Sequence, residues 1–179
     1  MAITRLNTNA FGTSVNLASN VTGTLPAANG GSGRTAVTGN VLQVVSTAKT
    51  DSFTTTATSD TAVTGLSLSI TPSSSSNKIF VIFTGNTSCD NSNSYYGAMS
   101  IYRDSTRIVG GQTGATSGST RIDNVNSGMS ILDSPSSTSA ITYQLYIKSE
   151  GNSSTVRINA TSGVVADEKA VITAMEIAG

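Results

Sequence analysis

From residue 41 onward, apolar residues recur at every second position and turn-forming clusters interrupt them every few residues. In AITYQLYIK, Ile141, Tyr143, Leu145 and Ile147 fall on one face, and Thr142, Gln144, Tyr146 and Lys148 on the other. TVRINA repeats the pattern with Val156, Ile158 and Ala160, and LSLSI (66–70) alternates apolar with hydroxyl residues. Side chains two apart share a face only when the chain is extended, so these segments read as half-buried strands. KIFVIF (78–83) is instead a continuous run of β-formers between turn residues. Such a run predicts a central strand covered on both faces.

Turn signals stand at TPSSSSN (71–77), DNSNS (90–94), RDST (103–106), GGQTGATSGS (110–119), DSPSSTS (133–139), EGNSS (150–154) and ADEK (166–169). They imply three or more strands before TSCDN, a hairpin over 98–109 and four strands after it, eight to ten in all. No helical period persists over three turns. The expected fold is an all-β antiparallel sandwich or barrel over residues 41–179, with the jelly roll as the natural eight-strand solution. In the last strand, KAVITAMEIAG, Ile172 and Ala174 oppose Val171, Thr173, Met175 and Ile177, so both faces are apolar. That fits a strand beside an oligomer axis or a central sandwich strand.

Residues 1–40 lack this pattern. Gly, Asn, Thr, Ala and Ser surround isolated apolar residues (Ile3, Leu6, Phe11, Val15, Leu17, Val21, Leu25), too sparse to form a core. Fixing each backbone residue costs about 1–2 kcal/mol, so an extended arm of this kind needs a partner to hold it. The expectation is that neighbouring subunits do so, with Leu17, Val21, Leu25 and Pro26 as anchoring contacts. In GTLPAANGGSG (23–33), Leu25 and Pro26 would pin an extended turn, and the glycines would let several chains run close together.

Charge and missing residue types narrow the function. Ten basic and ten acidic residues cancel, so no basic stripe is available for nucleic acid or an anionic membrane surface. No run of about 18 apolar residues could span a bilayer as a helix, and MAITRLNTNAFG has no continuous apolar core of a secretory signal. Cys89 is the sole cysteine, which suits synthesis in a reducing cytoplasm. Histidine is absent, which removes imidazole bases, Ser-His-Asp triads and His-bound zinc. The expectation is a non-enzymatic protein without cofactor or metal.

Individual motifs agree. DNSNS begins like a calcium loop, but Tyr95 stands where glycine is required and Ile101 where glutamate is. Asp167 and Glu168 are adjacent, and neighbours on a strand point to opposite faces, so they cannot share a glycosidase's task. NGGSGRT (29–35) lacks the spacing of a phosphate loop. In NSYYGAMSIYR (93–103), tyrosines stand among Asn and Ser, a composition suited to glycan or protein recognition, or to sheet packing with hydroxyls reaching solvent. Asn91, Asn93, Tyr95 and Tyr96 are the recognition candidates, within loops 90–96, 110–119 and 150–154.

One segment carries a resemblance. VNLASNVTGTLPAANGGSG (15–33) resembles NLATxVTGTLPxANGGTG, which recurs in bacteriophage tail-fibre and related virion proteins. LQVVSTAKTDSFTTT (42–56), GLSLSITPSSSSNKI (65–79), ILDSPSSTSAITYQL (131–145) and VITAMEIAG (171–179) are similar to the small β-sandwich modules of aquatic phages. The strand pattern is also similar to the trimeric jelly rolls of the tumour-necrosis-factor and complement-C1q type. The resemblance implies a homotrimer in the virion, made in a bacterial host. Its arm would bind other virion proteins of tail or capsid. It would act either as a short tail-fibre-type appendage touching a host surface glycan or protein, or as a capsid decoration protein at local threefold positions. Only about 40 residues precede the sandwich, where tail fibres carry a shaft or an attachment domain.

Overall fold

The computed structural model describes residues 38–89, 96–113, 125–151, 154–159 and 169–179. The anchoring candidates Leu17, Val21, Leu25 and Pro26 lie outside this set, as do Asn91, Asn93, Tyr95, Ala160, Asp167, Glu168 and the segment 29–35.

Among the described residues there are ten strands and no helix. They are β1 (Val41–Lys49), β2 (Phe53–Thr55), β3 (Thr61–Ile70), β4 (Lys78–Cys89), β5 (Gly97–Arg103), β6 (Thr106–Thr113), β7 (Val125–Asp133), β8 (Ile141–Ser149), β9 (Val156–Ile158) and β10 (Ala170–Ile177). All pairings are antiparallel. The shorter β2 and β9 extend longer neighbours. β10 pairs with β4 over residues 78–84, and β9 takes up β4 from Thr87 to Cys89. β1 pairs with β10, and β2 with β9. One sheet therefore runs β1/β2, β10/β9, β4, β7, and the other runs β3, β8, β5, β6. With β1/β2 and β9/β10 each counted as one, consecutive strands alternate between the sheets except at the β5–β6 hairpin, in the manner of an eight-stranded jelly roll.

The core lies between the sheets. Ile79, Val81 and Phe83 of β4, Ile172 and Ala174 of β10, and Tyr143, Leu145 and Ile147 of β8 are all fully buried. Each large side chain here contributes on the order of 1.5–3 kcal/mol. The alternation read in AITYQLYIK holds residue for residue, since the inward set is buried and the outward set is not. The expected hairpin is β5–β6, closed by a turn in which Asp104 adopts a left-handed backbone (φ 51°). Its Oδ1 accepts the Thr142 N–H at 3.0 Å, tying the turn to β8. In β3, the register shift between Ala62 and Ser67 contains Gly65 at φ 86°, where a Cβ would be strained.

Two inward-pointing carboxylates, Asp133 and Glu176, each gather several donors. Arg103 Nη1 donates to both carboxylate oxygens of Asp133, at 2.9 and 3.0 Å, and the Tyr143 hydroxyl donates to Asp133 Oδ2 at 2.7 Å. This cluster joins β5 and β8 of one sheet to β7 of the other. Burial, followed by the Asp133 acceptor, pushes the Tyr143 phenol well above its ordinary range.

Glu176 is the second group, 1% exposed on the inward face of β10. Its Oε1 accepts from Asn77 Nδ2 at 2.6 Å, Ser73 N at 2.7 Å and Ser73 Oγ at 2.8 Å. Gln43 Nε2 reaches Oε2 at 2.6 Å. Burial raises the carboxyl, but the donors from Asn77, Gln43 and Ser73 outweigh it and hold the pKa at about 2. The carboxylate thus fastens β1, β10 and the 71–77 turn together.

KIFVIF is central, flanked by β10 and β7, but it is not covered on both faces. Ile79, Val81 and Phe83 are buried between the sheets, while Phe80 and Ile82 on the other side are only half-buried. The continuous apolar run arises because this sheet is apolar outside as well as inside.

Candidate functional site

The outward face of the β1–β10–β4–β7 sheet carries the most unusual chemistry of the surface. Cross-strand register aligns Val44 with Met175, Met175 with Phe80, and Phe80 with Leu132, an apolar row spanning all four strands. Val44 is 56% exposed and Leu132 50%. Leu42 (48% exposed) and Ile177 extend the row on one side, and Ile82 and Val171 on the other. Among the outward positions of these four strands only Lys78 is charged. At ~4.8 Å between strands and ~3.4 Å per residue, the patch covers on the order of 300 Å². An apolar patch of about 300 Å² is within the range of the largest patch on a monomer, and such patches are often functional.

The face is also shaped. Gly128 has no side chain, and beside it lies a depression of about 190 Å³ lined by Ile82, Phe83, Thr84, Gly128, Met129 and Ser130. A side chain from a partner could seat there. β10 meets the central-strand reading of KAVITAMEIAG. It is central in its sheet, and Val171, Thr173, Met175 and Ile177 face outward, half-buried.

The two ends of the sandwich differ in use. Thr38 and the C-terminus share one end, where Gly39 N donates to Ala178 O at 2.6 Å and Ala178 N to Asn40 O at 2.9 Å. The segments that flank the candidate recognition loops meet at the other end. Gly97 pairs with both Thr113 and Ser149, which brings the start of β5 beside the ends of β6 and β8. Glu150 N donates to Tyr96 O at 2.9 Å. The described parts of loops 90–96, 110–119 and 150–154 are therefore neighbours, far from one another in sequence. Tyr96 is half-buried and is the recognition candidate among the described residues. Tyr102 lies mid-sheet, and its hydroxyl donates to Asp60 Oδ2 at 2.6 Å rather than reaching solvent.

No metal-competent cluster of three or more Cys, Asp or Glu occurs among the described residues. No helix among them is long and apolar enough to cross a membrane.

The described residues form a jelly-roll-like sandwich whose β1–β10–β4–β7 sheet is apolar on its outward as well as its inward face. No protein-family model and no curated protein matches the chain. Among solved structures, one similar chain comes from T=1 particles derived from infectious bursal virus, at 13% identity and a TM-score of 0.37. The alignment covers 76% of this chain and 36% of that one, so the chain spans about a third of the length of the structure it matches.

Proposed function

We propose that the protein is a non-enzymatic virion surface subunit that forms a homotrimer through the outward face of the β1–β10–β4–β7 sheet. The observation that carries this reading is the apolar row Val44–Met175–Phe80–Leu132, a four-strand-wide surface that the other described residues leave open and that a further copy would cover. A closed trimer is held by heterologous contacts, in which this apolar face of one copy packs on a different patch of the next. The phage-like segment at 15–33 supports the virion setting, and its arm binds a neighbouring virion protein. Thr38 lies at the end of the sandwich opposite the described flanks of loops 90–96, 110–119 and 150–154. In this reading the protein is a short tail-fibre-type appendage that touches the host surface.

Immunogold labelling of intact particles carrying this protein tests the placement. Label confined to the tail is expected. Label spread over the capsid faces would replace the appendage with a decoration protein, and label on neither would overturn the virion reading itself.

A further inference from the structure

The opposite face of the sandwich is built differently. On the outward side of the β3–β8–β5–β6 sheet, register aligns Ala62 with Tyr146, Tyr146 with Ser100, and Ser100 with Gly110. One large ring thus stands in a row of small residues. The Tyr102 ring stacks on it, with centroids 4.1 Å apart and planes inclined by 36°. Tyr102 is further fixed by its hydrogen bond to Asp60. Both tyrosines are half-buried, so the pair keeps ring surface in contact with water.

Polar groups surround the pair. The guanidinium of Arg107, an exposed residue, lies over Gly110, where a Cβ would come within 1.9 Å of Nη2. Gln144 stands beside Tyr102 in register, and Lys148 pairs with Glu150 at 2.8 Å. Two buried polar atoms at this patch lack hydrogen-bond partners: Ser100 Oγ, in a residue 0% exposed, and Asp60 Oδ1. A buried polar atom left without a partner is costly, so each favours a ligand that supplies one.

We infer that the Tyr102–Tyr146 pair, with Ser100, Asp60, Gln144 and Arg107 around it, is a binding site for a neutral pyranose of a polysaccharide. The apolar C–H face of the sugar lies on ring surface already locked in place, so little side-chain freedom is lost on binding. Ring hydroxyls of the sugar donate to Asp60 Oδ1 and bond with Ser100 Oγ once the exposed Arg107 side chain turns from over Gly110 toward the sugar. Arg107 and Gln144 then donate to the remaining sugar oxygens. An open sheet face suits an extended chain of sugars better than a small metabolite, which takes a concave pocket. The proposal deepens the appendage reading and rests on it, because a face pointing away from the assembly surface is where a host polysaccharide would arrive.

The test uses purified protein on an array of mannan, dextran, galactan and bacterial O-polysaccharide fragments. Tyrosine fluorescence gives a second readout in solution, since the chain has five tyrosines and no tryptophan. Wild type is expected to bind at least one neutral glycan. Tyr146→Ala should weaken that binding at least tenfold, and Arg107→Ala, at an exposed position that leaves the core intact, at least threefold. Binding of none of the glycans, or binding that Arg107→Ala and a folded Tyr146→Ala leave within twofold, overturns the site. Labelling of particles is unaffected by either result, so failure here is distinguishable from failure of the virion reading.

Discussion

Phe80→Lys is expected to leave the sandwich folded and to reduce the assembly to single chains. Phe80 occupies the middle of the apolar row, between Met175 and Leu132, on the outward side of a central strand. In the isolated subunit a lysine there keeps its ammonium in water, so the fold should lose no more than ~1 kcal/mol. In the oligomer the same ammonium would be desolvated among apolar partners with no carboxylate on the outward positions of the four strands to meet it. A buried unpaired charge costs several kcal/mol, and each oligomer would contain it once per subunit. Association should weaken at least a hundredfold, seen by light scattering across a dilution series. A thermal melt of the variant close to that of the dissociated wild type would separate lost assembly from lost folding.

Glu176→Ala is expected to cost on the order of 3 kcal/mol and to remove an acid-sensitive component of stability. The substitution leaves the Ser73 N–H and the Gln43 and Asn77 amides without their shared acceptor in a buried setting. For a domain of this size, each kcal/mol moves the melting temperature by about 3 °C. The pH dependence follows from the direction of the shift. The carboxyl titrates at about 2 when folded, below its ordinary value of 4.5. Its contribution is therefore fully present above pH 4.5 and is lost as the pH falls through 4.5 towards 2. Wild type should lose ~3 kcal/mol over that window, beyond what Glu176→Gln loses. Parallel acid titrations of the two, followed by urea unfolding, would show no such gap if the carboxylate were not the cause.

Much of the fold was legible because one physical rule, the period of two, governs most of the chain. Tyr143 and Leu145 read as inward and Tyr146 and Lys148 as outward from sequence, and each is where the alternation placed it. The same rule puts Glu176 on the inward side with Ile172 and Ala174. That was the available signal for the buried carboxylate, because an acid at a core-facing position implies a set of donors. Its donors come from residues 43, 73 and 77, about a hundred or more positions away, and no local pattern names them.

The candidate site was less legible. The run KIFVIF suggested cover on both faces, and sequence alone could not show that the described strands bury only Ile79, Val81 and Phe83 fully, leaving Phe80 and Ile82 half-buried. Val44, Met175, Phe80 and Leu132 lie on four strands brought together by topology, and their alignment depends on register. The tyrosines singled out beside polar residues were those of the 93–103 stretch. Tyr146, which stacks on Tyr102, sits in an ordinary strand, and only the β5–β8 pairing makes the two neighbours.

Native mass spectrometry of the purified 179-residue chain is the most direct test of assembly through the β1–β10–β4–β7 face. A mass of three chains at micromolar concentration, with residues of that face protected from hydrogen exchange and surface labelling, is the expected result. A single-chain mass at tens of micromolar, with Val44 and Leu132 freely labelled, would contradict it.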